Sequence, residues 1–357
     1  MTKIGVVDLF CGVGGLTKGL SNSGLNVVAG VDIDNSCRYA YEENNDAVFI
    51  ENGIENISAE FLNSLYPIDN EIKVLVGCAP CQPFSAHTFK YRKDKEITEE
   101  TDPKWFLLHH FKRLIIETTP HVISMENVPE LCKKEIFYDF VETLKEHGYS
   151  VSYEVVNCVE YGVPQNRRRL VLLASMLGDI EIIPPTHKRD SYITVEQAIG
   201  SLENINAGAI SENDPLHRCA NLSSTNLRRI RQSKPGGTWR DWDKSLINKC
   251  HKKETGSTYS AVYGRMEMEK PSPTITTQFY VYGTGRFGHP YQDRALSLRE
   301  GALLQTFPAC YEFVEKNEDI FFGKIAMMIG NAVPVRLGEA IGDSILFHIE
   351  AAIEEGL

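Results

Sequence analysis

Pro80-Cys81-Gln82-Pro83 sets a thiol between two prolines, just beyond the apolar run 72–76. Each proline fixes its own φ and restricts the residue before it, so the segment would hold a side chain steady at a strand end. A free cysteine is only a few per cent ionised at neutral pH but is intrinsically a strong nucleophile. The spacing Cys78-x-x-Cys81 also admits redox chemistry or zinc. A second such pair is missing, and no two histidines stand at ligand spacing, which disfavours structural zinc. Cys78, Cys11 and the remaining cysteines read as buried apolar thiols. Further on, Glu126 follows the largely apolar residues 121–125. A carboxyl desolvated at a strand end can hold or share a proton, although one that only caps a neighbouring helix has the same signature. In Gln165-Asn166-Arg167-Arg168-Arg169-Leu170, strand alternation puts Arg167 and Arg169 on one face. Arg168 then shares the other face with Leu170, Leu172 and Ala174. The arginine pair would point into a site, or into water from an edge strand.

A fourth constellation lies at the N-terminus, where Val7-Asp8-Leu9-Phe10 runs into Cys11-Gly12-Val13-Gly14-Gly15-Leu16. Glycines let a backbone approach a ligand, and a helix N-terminus offers unpaired N–H groups. The dinucleotide fingerprint would need glycine at 17, which is threonine. The next apolar run ends in Asp32, where an acid suits a pair of ribose hydroxyls. Together they suggest a nucleoside cofactor without a pyrophosphate clamp, which fits S-adenosylmethionine. A tight strand-to-helix turn with no ligand is the plain alternative.

These groups need a frame that gathers strand ends. Apolar runs at 4–10, 26–32, 47–50, 72–77, 121–125, 150–157 and 169–174 alternate with amphipathic stretches. That pattern predicts an α/β fold with a doubly wound, mostly parallel sheet, whose ligands gather at the carboxyl ends of the strands. Periodicity weakens after Ile182-Ile183-Pro184-Pro185 and returns near 325. The expected division is a cofactor-binding and catalytic domain, 1–184 with 323–357, and a smaller irregular domain, 185–322.

The chain of 357 residues carries a net charge of −11, which taken alone argues against a polyanion partner. Residues 215–253, however, hold ten Lys/Arg against Asp241 and Asp243, a local +8, so the remainder carries −19. A basic block on an acidic body suggests one polyanion-facing surface. No apolar run approaches the ~18 residues of a membrane span. Asp8 interrupts the first apolar run, unlike a secretory signal, and nine scattered cysteines suit a reducing cytosol.

In this order the motifs resemble the DNA (cytosine-5)-methyltransferase family along nearly the whole chain. The matching residues are Asp8-Leu9-Phe10-Cys11-Gly12-Val13-Gly14-Gly15, Asp32, Pro80-Cys81-Gln82, Glu126-Asn127-Val128, Gln165-x-Arg167-x-Arg169 and Gly330-Asn331-x-Val333. Ser272-Pro273-Thr274-Ile275-Thr276-Thr277 and Arg299-Glu300-x-x-x-Leu304-Gln305-x-Phe307-Pro308 fit its late motifs. The resemblance implies a sheet of the S-adenosylmethionine-dependent methyltransferase type with a small target-recognition domain. It implies Cys81 as nucleophile, Glu126 against the ring edge of the target cytosine, Arg169 holding the flipped base and Arg167 supporting the catalytic loop. Phe10, Gly12, Gly14, Asp32, Ile33, Pro80, Asn331 and Val333 would lie around S-adenosylmethionine. Where the family often has an Asp-Ile pair this chain reads Glu51-Asn52-Gly53-Ile54, so Asn52 or the backbone there would take the adenine contact. The expected partner is double-stranded DNA, met by Ser85, Arg228, Arg231, Gln232, Trp239 and Arg240. A companion restriction endonuclease, a monomeric state and a bacterial cytosolic location complete the expectation. The alternatives are the same chemistry on transfer RNA, a catalytically silent DNA-binding regulator, and a nicotinamide oxidoreductase, the last disfavoured by the missing fingerprint.

Overall fold

The protein is described here by a computed structural model covering residues 3–80 and 103–356. Contacts divide the chain into two units: Met1–Asn157 with Arg168–Pro185 and Val333–Leu357, and Cys158–Arg167 with Thr186–Ala332.

The first unit is built on seven strands: β1 (Ile4–Leu9), β2 (Val27–Asp32), β3 (Val48–Glu51), β4 (Ile72–Gly77), β5 (Val122–Asn127), β6 (Ser150–Asn157) and β8 (Arg168–Ser175). Their order is β3-β2-β1-β4-β5-β8-β6. The first five are parallel, and β8 runs antiparallel between β5 and β6. Strands covered on both faces read as continuous apolar runs, which is why β1, β4 and β5 lack alternation. Val7, Leu9, Leu75, Ile123 and Leu172 are buried with Phe111 of helix Pro103–Thr118 and Phe140 of helix Glu135–Glu146. The two phenylalanine rings stack with centroids 5.9 Å apart. The doubly wound, mostly parallel sheet anticipated above is the one found.

The second unit is irregular. It has one two-stranded sheet, β7 (Gln165–Asn166) beside β9 (Ser272–Pro273), and short helices, of which Ser224–Gln232 and Phe322–Asn331 are the longest described. Residues 158–167 and 323–332, expected with the first domain, group here. Gln305 Nε2 donates to the carbonyls of Ile329 and Ala332, at 2.7 and 3.2 Å. A Cβ on Gly330 would come within 2.6 Å of the Thr277 nitrogen, so this helix end lies directly against the late motif. Among the described residues no helix is long and apolar enough to cross a membrane.

The chain returns to the first unit through helix Val335–Glu354, which crosses helix Gly15–Asn22 at glycines. A Cβ on Gly19 would fall on the Val335 carbonyl and 2.6 Å from the Glu339 nitrogen, and one on Gly338 would lie 3.1 Å from the Gly19 Cα. Backbone cannot yield as a side chain can. Alanine at 19 gains up to ~1 kcal/mol of helix propensity, yet overpacking costs ~1–3 kcal/mol, so the clash should win. Gly19→Ala is expected to lower the urea midpoint of unfolding by the equivalent of about 1–2 kcal/mol. An unchanged or raised midpoint would show that the two helices are free to separate.

Candidate active site

Three strand ends meet at one carboxylate. In the β4–β5 ladder Gly77 faces Met125, so the next pair outward is Cys78 and Glu126. In the antiparallel β5–β8 ladder Glu126 faces Val171, and Arg169 is two residues from Val171, hence on the same face. Glu126 is only 3% exposed. Its Oε1 lies 2.7 Å from Arg169 Nε, close enough for an ion pair but not aligned as a hydrogen bond, and Cys78 Sγ donates to Oε2 at 2.8 Å. Backbone bonds fix the surroundings. The Cys78 N–H donates to the Leu9 carbonyl (3.3 Å), and Asn127 Nδ2 to the Ala79 carbonyl (3.0 Å). Pro80 is half-buried, while Cys81 and Ser85 lie outside the described residues.

Arg167 does not share this site face. The strand β8 begins at Arg168, so the alternation argument fails one residue early. Arg167 is 3% exposed and donates to carbonyls of its own unit: Ile275 at 3.0 Å, Gly330 and Ala332 at 3.4 Å. Its charge is used to hold the late motif together. Arg168 is exposed and Arg169 pairs with Glu126, so the three arginines have three separate surroundings.

At the other sheet positions the glycine-rich turn has three left-handed residues, Phe10 (φ 61°), Gly12 (φ 51°) and Gly14 (φ 81°). The Gly12 N–H donates to Asp32 Oδ2 and the Asp34 N–H to Oδ1, both at 2.9 Å. Burial pushes the Asp32 carboxyl above its ordinary range, partly offset by those backbone donors. The Asn52 N–H reaches the Asp32 carbonyl at 3.0 Å. Beneath, Asp8 is fully buried, accepts from Thr17 Oγ1 at 2.7 Å, and is pushed by desolvation up to about 7. Cys11 is buried and its thiol pushed far up, which makes it the inert apolar thiol expected of it. The residues suit a nucleoside. Nothing lies within 4 Å of the Cβ position of Gly12, and Ile33, apolar yet 70% exposed, stands beside the Asp32 carboxylate. Val333 is buried in the first unit, and Asn331 is the exposed last residue of its helix in the second.

Of the ten cations in 215–253, Arg218 and Arg229 are half-buried and the other eight exposed. Arg229 lies over the rings of Trp242 and Tyr263, at 5.5 and 5.3 Å, and donates to Leu246 and Asn226. Arg228, Arg231, Gln232, Asp243, Ser245 and Leu246 line a shallow pocket of about 270 Å³. Arg228 and Arg231 are exposed on helix Ser224–Gln232, Arg231 reaching Asp293 at 3.3 Å. One expected surface reader, Trp239, turns inward, and a second, Gln232, is half-buried at the surface. Trp239 is a core residue, 5% exposed, donating to the Tyr259 carbonyl at 2.7 Å. Gln232 exchanges hydrogen bonds with Asp243. Arg240 remains exposed above the Trp239 ring, 4.9 Å from its centroid.

Cys78 is the residue that sequence reasoning missed. Its type suggested a buried thiol, and only the pairing of β4 with β5 brings it to Glu126. No local signal carries that register.

The sequence matches the family of C-5 cytosine-specific DNA methylases over residues 4–346. It is 53% identical over 352 residues to the Type II methylase M.HgiDII of Herpetosiphon aurantiacus, covering 98% of this chain and 97% of that one. It is 31% identical to the Type II methyltransferase M1.HphI of Haemophilus parahaemolyticus, over 95% of this chain and 86% of the other. In fold it resembles the crystal structure of a Spodoptera frugiperda DNMT2 mutant, with a TM-score of 0.64 at 17% identity, over 96% of this chain and all of the other. With its strand-end carboxylate, glycine-rich turn and motif order in place, the chain belongs to the C-5 cytosine-specific DNA methylase family and is a DNA (cytosine-5)-methyltransferase.

Proposed function

We propose that the chain methylates carbon 5 of a cytosine swung out of a specific double-stranded DNA sequence, through a covalent bond between Cys81 and carbon 6. The observation that carries this reading is the buried Glu126 carboxylate held at the sheet edge between Arg169 and Cys78. An aromatic ring resists substitution at carbon 5. Addition of a thiolate at carbon 6 removes that resistance and leaves an enamine, nucleophilic at carbon 5. Charge then builds on the ring, and Glu126, having taken up a proton from solvent, relieves it by giving that proton to nitrogen 3. A positioned acid or base of this kind contributes ~10²–10⁴ in rate. Arg169, ion-paired to Glu126, both orients that carboxylate and stands beside the extruded base. Arg167 supports the catalytic loop at one remove, through the late motif it binds. When bound, S-adenosylmethionine supplies a sulfonium methyl for carbon 5. Phe10, Gly12, Gly14 and Asp32, with Ile33, Asn52, Pro80, Asn331 and Val333, are the residues to hold it. Nitrogen 3 returns its proton to Glu126, and loss of the carbon 5 proton to water finally expels Cys81 as thiolate.

A base inside a duplex is out of reach, and extruding it costs a few kcal/mol. The second unit, as a target-recognition domain, offsets this with phosphate contacts. Arg228, Arg231 and Arg240 are exposed for that role, with the Trp239 ring under Arg240 and Gln232 tied to Asp243. Ser85, outside the described residues, is a further candidate contact to the DNA. The Type II names of its relatives suggest a restriction–modification setting with a companion endonuclease. A monomer in the cytosol is sufficient for the reaction.

Two outcomes test this. Cys81→Ala should lose methyl transfer by more than about 10⁴-fold, as when a covalent nucleophile is removed, while duplex binding persists. Duplex containing 5-fluorocytosine should trap a stable protein–DNA adduct at Cys81. Substantial turnover by the variant, or transfer to RNA but not to duplex DNA, would overturn the proposal. Replacing Arg228 and Arg231 by alanine should flatten the dependence of log affinity on log salt by roughly one for each phosphate no longer neutralised. An unchanged slope would remove helix Ser224–Gln232 from the DNA interface.

A further inference from the structure

Cys78 is not the thiol to which the proposed reaction assigns nucleophilic addition, yet it touches the group that faces the base. Its N–H is anchored to the Leu9 carbonyl, so its Cβ direction is set by the sheet. The β4–β5 register places it beside Glu126 on the same face, and its Sγ donates to Oε2 at 2.8 Å. The other oxygen, Oε1, faces Arg169 Nε at 2.7 Å. The terminal torsion of a glutamate is broad and roughly twofold, so one contact does not fix the plane of the carboxylate. Two contacts on different oxygens do. A hydrogen bond to a charged acceptor is also stronger than a neutral one.

We infer that Cys78 is a positioning residue for Glu126, its thiol fixing Oε2 while Arg169 fixes Oε1, so that the carboxylate presents one orientation to the ring edge of the target base. This rests on the reading of Glu126 given above. A thiol suits the position. It is a weak donor and a weak acceptor, so it orients the carboxylate and does not compete with it for the base proton. Alanine would leave Oε2 without this donor and the carboxylate free to turn about the Arg169 contact.

The test uses the full-length enzyme with duplex DNA and labelled S-adenosylmethionine. The variants are Cys78→Ala, Cys78→Ser, Glu126→Gln and the Cys78→Ala/Glu126→Gln pair, each normalised to the cofactor-binding stoichiometry from calorimetry. Cys78→Ala should lower kcat roughly 10- to 100-fold, the size of one hydrogen bond to a charged group. The KM values for DNA and cofactor should stay within about twofold, because an orientation needed only in the transition state leaves ground-state binding alone. Cys78→Ser, which restores a donor, should recover most of the loss. In the Glu126→Gln background Cys78→Ala should cost less than about threefold more, as coupled groups are non-additive. If Cys78→Ala keeps wild-type kcat, or raises KM with kcat unchanged, the inference fails while the role of Glu126 stands. The same holds if serine is as slow as alanine, or if the two losses multiply. If Glu126→Gln itself turns over normally, the role of Glu126 falls and the inference falls with it.

Discussion

A carboxylate withdrawn from water is the constraint around which the first unit is arranged. Desolvating an ionised group costs several kcal/mol even after the protein relaxes, and a partner of opposite charge must compensate. Glu126 ends a parallel strand, so any partner has to arrive at the carboxyl edge of the sheet. A further parallel strand would bring its last residues there. The antiparallel β8 brings its first, and Arg169 is the second residue of that strand. The reversal of one strand therefore has a chemical consequence. It delivers a cation from a chain segment just entering the sheet to an anion from a segment just leaving it. On the far side, the parallel β4 arrives with Cys78 in step with Glu126. Both neighbours of β5 thus contribute, one by charge and one by hydrogen bond.

The glycine-rich corner follows a different logic, set by backbone rather than by side-chain charge. Three left-handed residues within five positions turn successive N–H groups out of the strand direction, and Asp32 captures one of them from Gly12. A non-glycine residue in that region is uncommon and costs of order 1–3 kcal/mol, so Phe10 at φ 61° is held there by its surroundings. Below the turn, Asp8 leaves Oδ1 buried without a hydrogen-bond partner among the described residues. Desolvation accordingly favours its neutral form. The corner keeps the Asp32 carboxylate half-buried at the strand end and sinks Asp8 and Cys11 beneath it.

These two sites were legible to different degrees, and the difference is physical. Strands buried on both faces announce themselves as apolar runs, so the inner strands of the large sheet, and with them Asp32 and Glu126, stood out from local sequence. Arg169 was legible because alternation within one strand requires only that strand. Arg167 was not. It precedes the strand by one residue, and the carbonyls of Ile275, Gly330 and Ala332 that surround it lie more than a hundred residues away. Cys78 needed the register between two strands separated by helix Pro103–Thr118. Trp239 was a candidate DNA contact because it sits among cations, but its indole N–H found a carbonyl and its ring a core of Ile230, Trp242 and Tyr282. What local sequence conceals is long-range pairing of polar groups, whose satisfaction depends on elements that arrive later in the chain.

The charge distribution makes a last connection between composition and work. A chain of net charge −11 approaching a polyanion is opposed at long range. At physiological salt the screening length is about 8 Å, so only cations within that reach of a phosphate oppose the repulsion. Scattering ten cations over the whole surface would therefore waste them. Confining them to 215–253 and leaving eight exposed concentrates the attraction on the irregular unit. The two withdrawn ones, Arg218 and Arg229, instead direct their donors to backbone carbonyls and two asparagines. Arg229 in particular lies on the rings of Trp242 and Tyr263, next to the exposed Arg228 on the same helix. A short irregular unit needs such a staple, since it has few ladders to stiffen it.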